Sequence, residues 1–297
     1  MLRPAASALA LALAAGITPP AQELPITARA RSVQPGELVL LTFRAPDDVT
    51  DVQARAFDTS LLPWRGPDGA WHVLVGIDLD VAPGTHAVSV RAGTATARHD
   101  LVVTAKDYPT RRLTVDPSYV DPPGGVQARI AREAQRLNAV WQLDTASPYW
   151  HGPFVRPVPH EANSAFGTRS IFNGQPRSPH GGADFRSPAG TPVKAPNAGR
   201  VVVAGELYYT GGTVAIDHGL GLISLVAHLS SIAVAEGDVV EAGQVVGEVG
   251  ATGRVTGAHL HWTLRARGAR VDPLSLLAVL GGPSGAPAGP PSGSGLD

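Results

Sequence analysis

Between residues 25 and 105, hydrophobic and polar positions alternate in short bursts. Leu38–Phe43, Val52–Phe57, Trp71–Val75, His86–Val90 and Leu101–Val103 show the period of two that puts one face of a strand in a core and the other in water. Pro35-Gly36, Pro67-Asp68-Gly69 and Pro83-Gly84 punctuate these runs. The pattern predicts an antiparallel sandwich, immunoglobulin-like in style, over residues 23–106. Residues 107–154 then read as a linker and a helix. The first part, 107–122, is proline-rich. From Gly125 to Gln142 the apolar residues Val126, Ile130, Ala134 and Leu137 form one helical stripe, expected to dock the two halves of the chain together. The stretch from Pro148 to Gln175 is irregular and is expected to wrap the following domain or to border and cover its groove. Asn163 in it is a candidate to occupy an open metal position. Strand-type runs return at 199–204, 212–217, 222–228 and 244–249, predicting a second β domain over residues 155–280. Residues 281–297 are mainly Gly, Pro, Ser and Ala, a composition with too little to bury to order itself. The fold class is therefore mainly all-β, with a sandwich, a linking helix and a C-terminal β-sheet domain that carries a groove.

Composition narrows the chemistry. At 297 residues the chain suits about two domains. The formal net charge of -1 provides no general attraction to nucleic acid, and none is expected as a partner. There are no cysteines, which excludes disulfides and thiolate metal sites and leaves histidine and carboxylate as metal donors. Arg3 precedes the apolar run Ala5–Ile17, which is shorter than the ~20 residues that span a bilayer. Residues 1–22 are read as a signal peptide, so the expectation is export to the periplasm, or alternatively beyond the cell, with no stable membrane insertion after cleavage.

The candidate chemistry lies in the second domain. His180-Gly181-Gly182-Ala183-Asp184 is followed far downstream by His259-Leu260-His261. Two imidazoles and a carboxylate suit a three-ligand zinc site with an open fourth position, the arrangement of catalytic zinc. Glycines rule against a helix between His180 and Asp184, so a Gly-permitted bend is expected to bring both side chains to one metal. On a strand, His259 and His261 share a face, so one of them can bind the metal while the other faces the substrate. His228 lies between the two halves on an expected strand. The helical zinc-protease pattern is absent, because His160-Glu161 is not followed by a second histidine. His151 and His160 are read as loop residues, His218 as structural or at the groove edge, and His72, His86 and His99 as ordinary strand residues.

Five ordered blocks carry a resemblance. They are Phe166-Gly167-Thr168-Arg169, His180 through Phe185, Ala195-Pro196-Asn197-Ala198-Gly199, Ala227-His228-Leu229-Ser230, and Gly250-Ala251-Thr252-Gly253 continuing through Gly257 to His261. Together they resemble the lysostaphin-type zinc endopeptidases that cut peptidoglycan peptides. The resemblance implies a Zn2+ cofactor held by His180, Asp184 and His261, with His228 and His259 as the catalytic pair. It implies peptidoglycan peptides as substrate, with cell-wall or division proteins as further partners. Val226 stands where relatives commonly carry Tyr, which removes one expected oxyanion donor, and Thr263 stands where many carry Glu. A second reading is an inactive regulator that binds and activates other wall hydrolases; the intact ligand set argues against it. A third, a lipoyl- or biotinyl-carrier hairpin at Gly237–Gln244, lacks its acceptor lysine at the tip, because Lys194 is the domain's one lysine.

Overall fold

The computed structural model describes residues 24–114, 120, 122–162 and 166–282. The expected signal peptide, Asn163 and all but the first two residues of the tail lie outside the described residues.

The alternating pattern of the first half becomes eight strands: β1 (Thr27–Ala30), β2 (Leu38–Phe43), β3 (Val52–Ala56), β4 (Thr59–Leu61), β5 (Trp64–Arg65), β6 (Trp71–Gly76), β7 (Gly84–Ala92) and β8 (Ala95–Val103). They form two four-stranded sheets, ordered β1-β2-β6-β5 and β4-β3-β7-β8. Val39, Leu41, Val73 and Val75 from one sheet meet Ala54, Val88, Val90 and Leu101 from the other in a single core. Between the buried Val88 and Val90, Ser89 faces water, as the pleat requires.

The proline-rich segment is not wholly a linker. Thr110–Leu113 forms β9, which runs parallel to β10 (Arg169–Phe172); β10 pairs in turn with β11 (Gln175–Arg177). All four residues of β9 are exposed, so no hydrophobic alternation marks it, and backbone pairing with a partner far along the chain makes it a strand. Between β9 and β10 lies α1 (Gly124–Val140). Its last turn packs Leu137 and Val140 on Val203, Ile223 and Leu225. The Glu133 carboxylate accepts from the Tyr208 backbone N–H at 2.7 Å, and Arg136 pairs with Glu236. These partners all belong to the second domain, and Ala134 is exposed. The helix therefore leans on one domain and does not dock two.

The second domain contains β12 (Gly182–Phe185), β13 (Pro192–Lys194), β14 (Gly199–Leu207), β15 (Gly211–Asp217), β16 (Leu222–Ile232), β17 (Val239–Val240), β18 (Val245–Val249), β19 (Leu260–Ala266), β20 (Ala269–Val271) and α2 (Pro273–Leu280). They build a nine-stranded sheet with the main order β12-β19-β16-β15-β14-β17. β15 and most of β16 are hydrophobic without alternation because both faces are covered. Ala215, Ile223 and Leu225 face the end of α1, while Val214, Ile216, Leu222 and Val226 face the main core around Trp262 and Phe185.

The domains meet at α2. Asp272 caps it, accepting from Leu274 N–H at 2.9 Å, and Ser275 Oγ accepts from the Leu38 N–H at 2.9 Å. Arg31 bridges the buried Glu37, at 2.7 Å, and Asp272, at 2.6 Å, while Lys106 reaches Glu37 at 2.9 Å. Arg270 pairs with Asp78 and Asp80 of the sandwich. Leu38 and Leu74 share the second domain's core cluster, so apolar packing as well as charge joins the two bodies.

Candidate metal centre

His180, Asp184 and His261 come together although 77 residues separate Asp184 from His261. Antiparallel pairing of β12 with β19 sets Asp184 directly opposite His261. His180 lies just before β12, four residues from Asp184, an even offset that keeps both side chains on one face of an extended chain. From Gly182 onward the segment of the expected glycine bend is strand, and His180 and Gly181 precede it. Gly182 serves another purpose: a Cβ there would collide with the Trp262 carbonyl oxygen and stand 2.8 Å from the His261 ring. Its bare backbone lets β12 lie close against β19.

The three donor atoms converge. His180 Nε2 lies 3.1 Å from Asp184 Oδ1 and 3.0 Å from His261 Nδ1, which is 2.9 Å from the same oxygen. Donors bound tetrahedrally at 2.0–2.1 Å would stand about 3.3 Å apart, so moving these three outward by a few tenths of an ångström accommodates zinc. Burial alone would raise the Asp184 carboxyl, but hydrogen bonds from His180 and His261 hold it well below the usual carboxylate range. Burial pushes His261 down. A charged carboxylate beside two imidazoles is a donor set suited to a cation. The outer nitrogen of His261, Nε2, is hydrogen-bonded to Thr263 Oγ1 at 2.9 Å, which holds the orientation of the ring. Thr263, the departure from the family's Glu, therefore helps orient the His261 ring.

His228 and His259 face the same centre, their rings 4.8 Å apart, with His228 5.9 Å from the His261 ring. His228 is held at φ 67°, a left-handed conformation uncommon outside glycine, within an irregular stretch of β16. Its backbone N–H donates to Thr210 O at 2.8 Å, and its Nδ1 donates to Thr252 O at 3.0 Å. Thr252 is itself clamped, donating to Leu229 O at 2.7 Å and accepting from Gly212 N–H at 2.9 Å. Burial first, then the neighbouring His261, lowers His228 to about 4, so its ring is neutral near pH 7 with Nε2 as an acceptor. His259 is fixed in the same sense, Nδ1 donating to Gly257 O at 2.9 Å.

All five lie along one groove of about 620 Å³. Among the described residues none of the sandwich lines it; Arg111 and Leu113 of β9 and Ser170 and Phe172 of β10 do. Val226 is buried in the core and is not among the described residues that line the groove. Among the described lining residues the phenol is Tyr209, which sequence reasoning missed, as it missed Arg111, Arg177 and Thr210. Only Thr252 was signalled, by the Gly-Ala-Thr-Gly block. The remaining histidines stand apart. His218 is buried, bonded to Ala198 O and Ser224 Oγ, and is structural. His160 bonds Ser187, and His151 lies beside Glu241 on the surface. Lys194 sits within β13, paired with Val245, not at a hairpin tip.

An open-faced His-Asp-His centre flanked by two more imidazoles, on an antiparallel sheet, defines a metallopeptidase-type site. The comparisons agree: the profile of Peptidase family M23 matches residues 178–273. A solved peptidase M23 structure from Pseudomonas aeruginosa is 31% identical, covers 84% of this chain and 96% of its own, and superposes with a TM-score of 0.65. The chain belongs to peptidase family M23, the lysostaphin type. DD-carboxypeptidase/endopeptidase Mpg of Neisseria meningitidis is 44% identical over 97 residues, 33% of this chain and 22% of that protein. Peptidoglycan DD-endopeptidase ShyA of Vibrio cholerae is 45% identical over 95 residues, 32% of this chain and 22% of that protein. The chain thus spans about a fifth of the length of these curated relatives.

Proposed function

We propose that this protein is a zinc-dependent endopeptidase that hydrolyses peptide bonds in peptidoglycan crosslinks or stem peptides. The observation that carries the reading is the convergence of His180 Nε2, Asp184 Oδ1 and His261 Nδ1 beside two oriented imidazoles in one groove. The names of the relatives, peptidoglycan DD-endopeptidase among them, support the substrate class. His180, Asp184 and His261 would hold the ion. When bound, zinc supplies a Lewis acid that makes water a better nucleophile and a carbonyl a better electrophile.

The chain's own residues handle the protons. Neutral His228 presents Nε2 as an acceptor because Nδ1 is committed to Thr252 O. It takes a proton from the attacking water. His259, oriented by Gly257 O, sits across from it, and the pair returns a proton to the leaving amine nitrogen. Either imidazolium also stabilises the developing oxyanion. The intact donor set supports catalysis over a regulator that only binds other hydrolases. In this reading the protein works in the periplasm, alongside other cell-wall or division proteins. The test is digestion of purified peptidoglycan with mass analysis of the fragments, with and without chelator. New amine and carboxyl termini that vanish with chelator are expected; an untouched substrate with zinc-loaded protein would overturn the proposal.

A further inference from the structure

Of the three proposed metal ligands, His180 alone lies outside a strand, and its backbone is held by a segment that supplies no ligand. The His180 N–H donates to Thr168 O at 2.9 Å, and its C=O accepts from the Gly167 N–H at 2.8 Å. Both bonds go to the block Phe166-Gly167-Thr168-Arg169, so the placing of that block sets where His180 stands. Tyr108, in the segment that leaves the sandwich, seats the block. Gly167 has φ 77°, and a Cβ there would fall on the Tyr108 ring. Tyr108 also meets Phe166 edge-on, with ring centroids 6.2 Å apart and planes at 70°. Phe166 and Gly167 are both buried.

The tip of Tyr108 is fixed to the sandwich. Its hydroxyl donates to Pro35 O at 2.6 Å. Burial first, then the Glu37 carboxylate, push the phenol's pKa up, so it stays protonated as a donor. Gly36, at φ 82°, leaves room for both rings: a Cβ there would collide with the Phe166 ring and stand 2.5 Å from the Tyr108 hydroxyl oxygen. Gly36 O accepts from the Asp272 N–H at 2.8 Å, which ties the same turn to the cap of α2. The backbone continues the seam, since the Arg169 N–H donates to Pro109 O at 2.9 Å where β9 begins to pair with β10. A ring bonded at its tip and seated on bare backbone at its face transmits position, because close-packed groups shift together and compress little.

We propose that Tyr108 is a positioning residue, wedged between the sandwich turn Pro35-Gly36 and Gly167, that sets the His180 backbone for metal binding. The inference rests on the peptidase reading above, because it takes His180 as a zinc ligand. It gives the sandwich a part in building the metal centre, although none of its described residues lines the groove.

The test is the zinc Kd of the full-length protein, measured by competition with a chelator under conditions where circular dichroism shows each variant folded. Tyr108→Ala is expected to weaken zinc binding by ~10–100-fold. Tyr108→Phe keeps the ring on Gly167 and loses only the hydroxyl, so its affinity should return to within about threefold of the parent. Gly167→Ala should also weaken binding, since its methyl meets the ring. In the variant that combines Tyr108→Ala with Gly167→Ala the methyl has room. Its loss should therefore be at least about tenfold smaller than the product of the two single losses; the backbone strain of alanine at 167 is common to both backgrounds and cancels. A residue that only stabilised the fold would lower Tm and leave zinc binding alone. Unchanged zinc affinity in folded Tyr108→Ala, or single losses that multiply in the double variant, would overturn the proposal and leave the peptidase reading intact. Where Tyr108→Ala does not fold, Tyr108→Leu, which keeps apolar bulk without a flat face, takes its place with the same expectations. A parent protein that holds no zinc would instead bring down the peptidase reading, and this inference with it.

Discussion

Asp184 and His261 are direct partners across the β12–β19 ladder, with Asp184 Oδ1 2.9 Å from His261 Nδ1. The register of one strand pair therefore brings together two of the three proposed metal ligands. A one-residue slip would put the two side chains on opposite faces of the sheet.

This division of labour separates ligands from proton carriers. His261→Ala is expected to lose zinc on gel filtration. His228→Ala is expected to keep its zinc while peptidoglycan hydrolysis falls by ~10²–10⁴. Metal analysis alongside turnover checks both; metal loss in both variants would contradict the roles.

The closeness of β12 to β19 depends on Gly182. Gly182→Ala places a methyl against the Trp262 carbonyl and the His261 ring, and backbone cannot swing aside. A stability loss of about 1–3 kcal/mol is expected in denaturant titrations, with weaker zinc retention. A variant as stable as the parent would show that the ladder yields.

Thr263 holds the ring of His261, one of the proposed metal ligands. Thr263→Val removes the hydroxyl partner of His261 Nε2 without changing side-chain shape greatly. Zinc affinity should fall by ~10–100-fold in competition with a chelator. An unchanged affinity would mean the ring is oriented by packing alone.

His218 is a built-in acid sensitivity of the fold. It is wholly buried, and burial lowers it from 6.5 to about 4. Between those values the unfolded chain holds a proton that the folded chain refuses, so stability is full above 6.5 and is lost as pH falls through this window. The loss approaches about 3 kcal/mol by the lower limit. Urea midpoints across the range should show the slope, and His218→Gln should flatten it; an equally steep slope in that variant would assign it to other groups.

Much of this was legible before folding. β2, β3, β6 and β15 fall on or within a residue of their sequence expectation, because half-buried or fully buried strands carry their environment in their hydrophobic pattern. β9 was illegible: Thr110-Arg111-Arg112-Leu113 is exposed throughout, and only pairing with β10 defines it. The apolar stripe on α1 was visible, but its partner was not, since a stripe states how much surface seeks cover and not which surface supplies it. Val226 stands where a phenol was expected, and its side chain is buried in the core.

The identity of the donors and the alternation of the strands belong to the sequence alone, because residue chemistry and strand period are local properties. Convergence does not. That His180, Asp184, His228, His259 and His261 share a groove with Arg111, Arg177 and Tyr209 was decided by strand register, by the left-handed backbone of His228 and by the pairing of β9 with β10. Those depend on hydrogen bonds and contacts between segments far apart in the chain, which exist only once the sheet has closed.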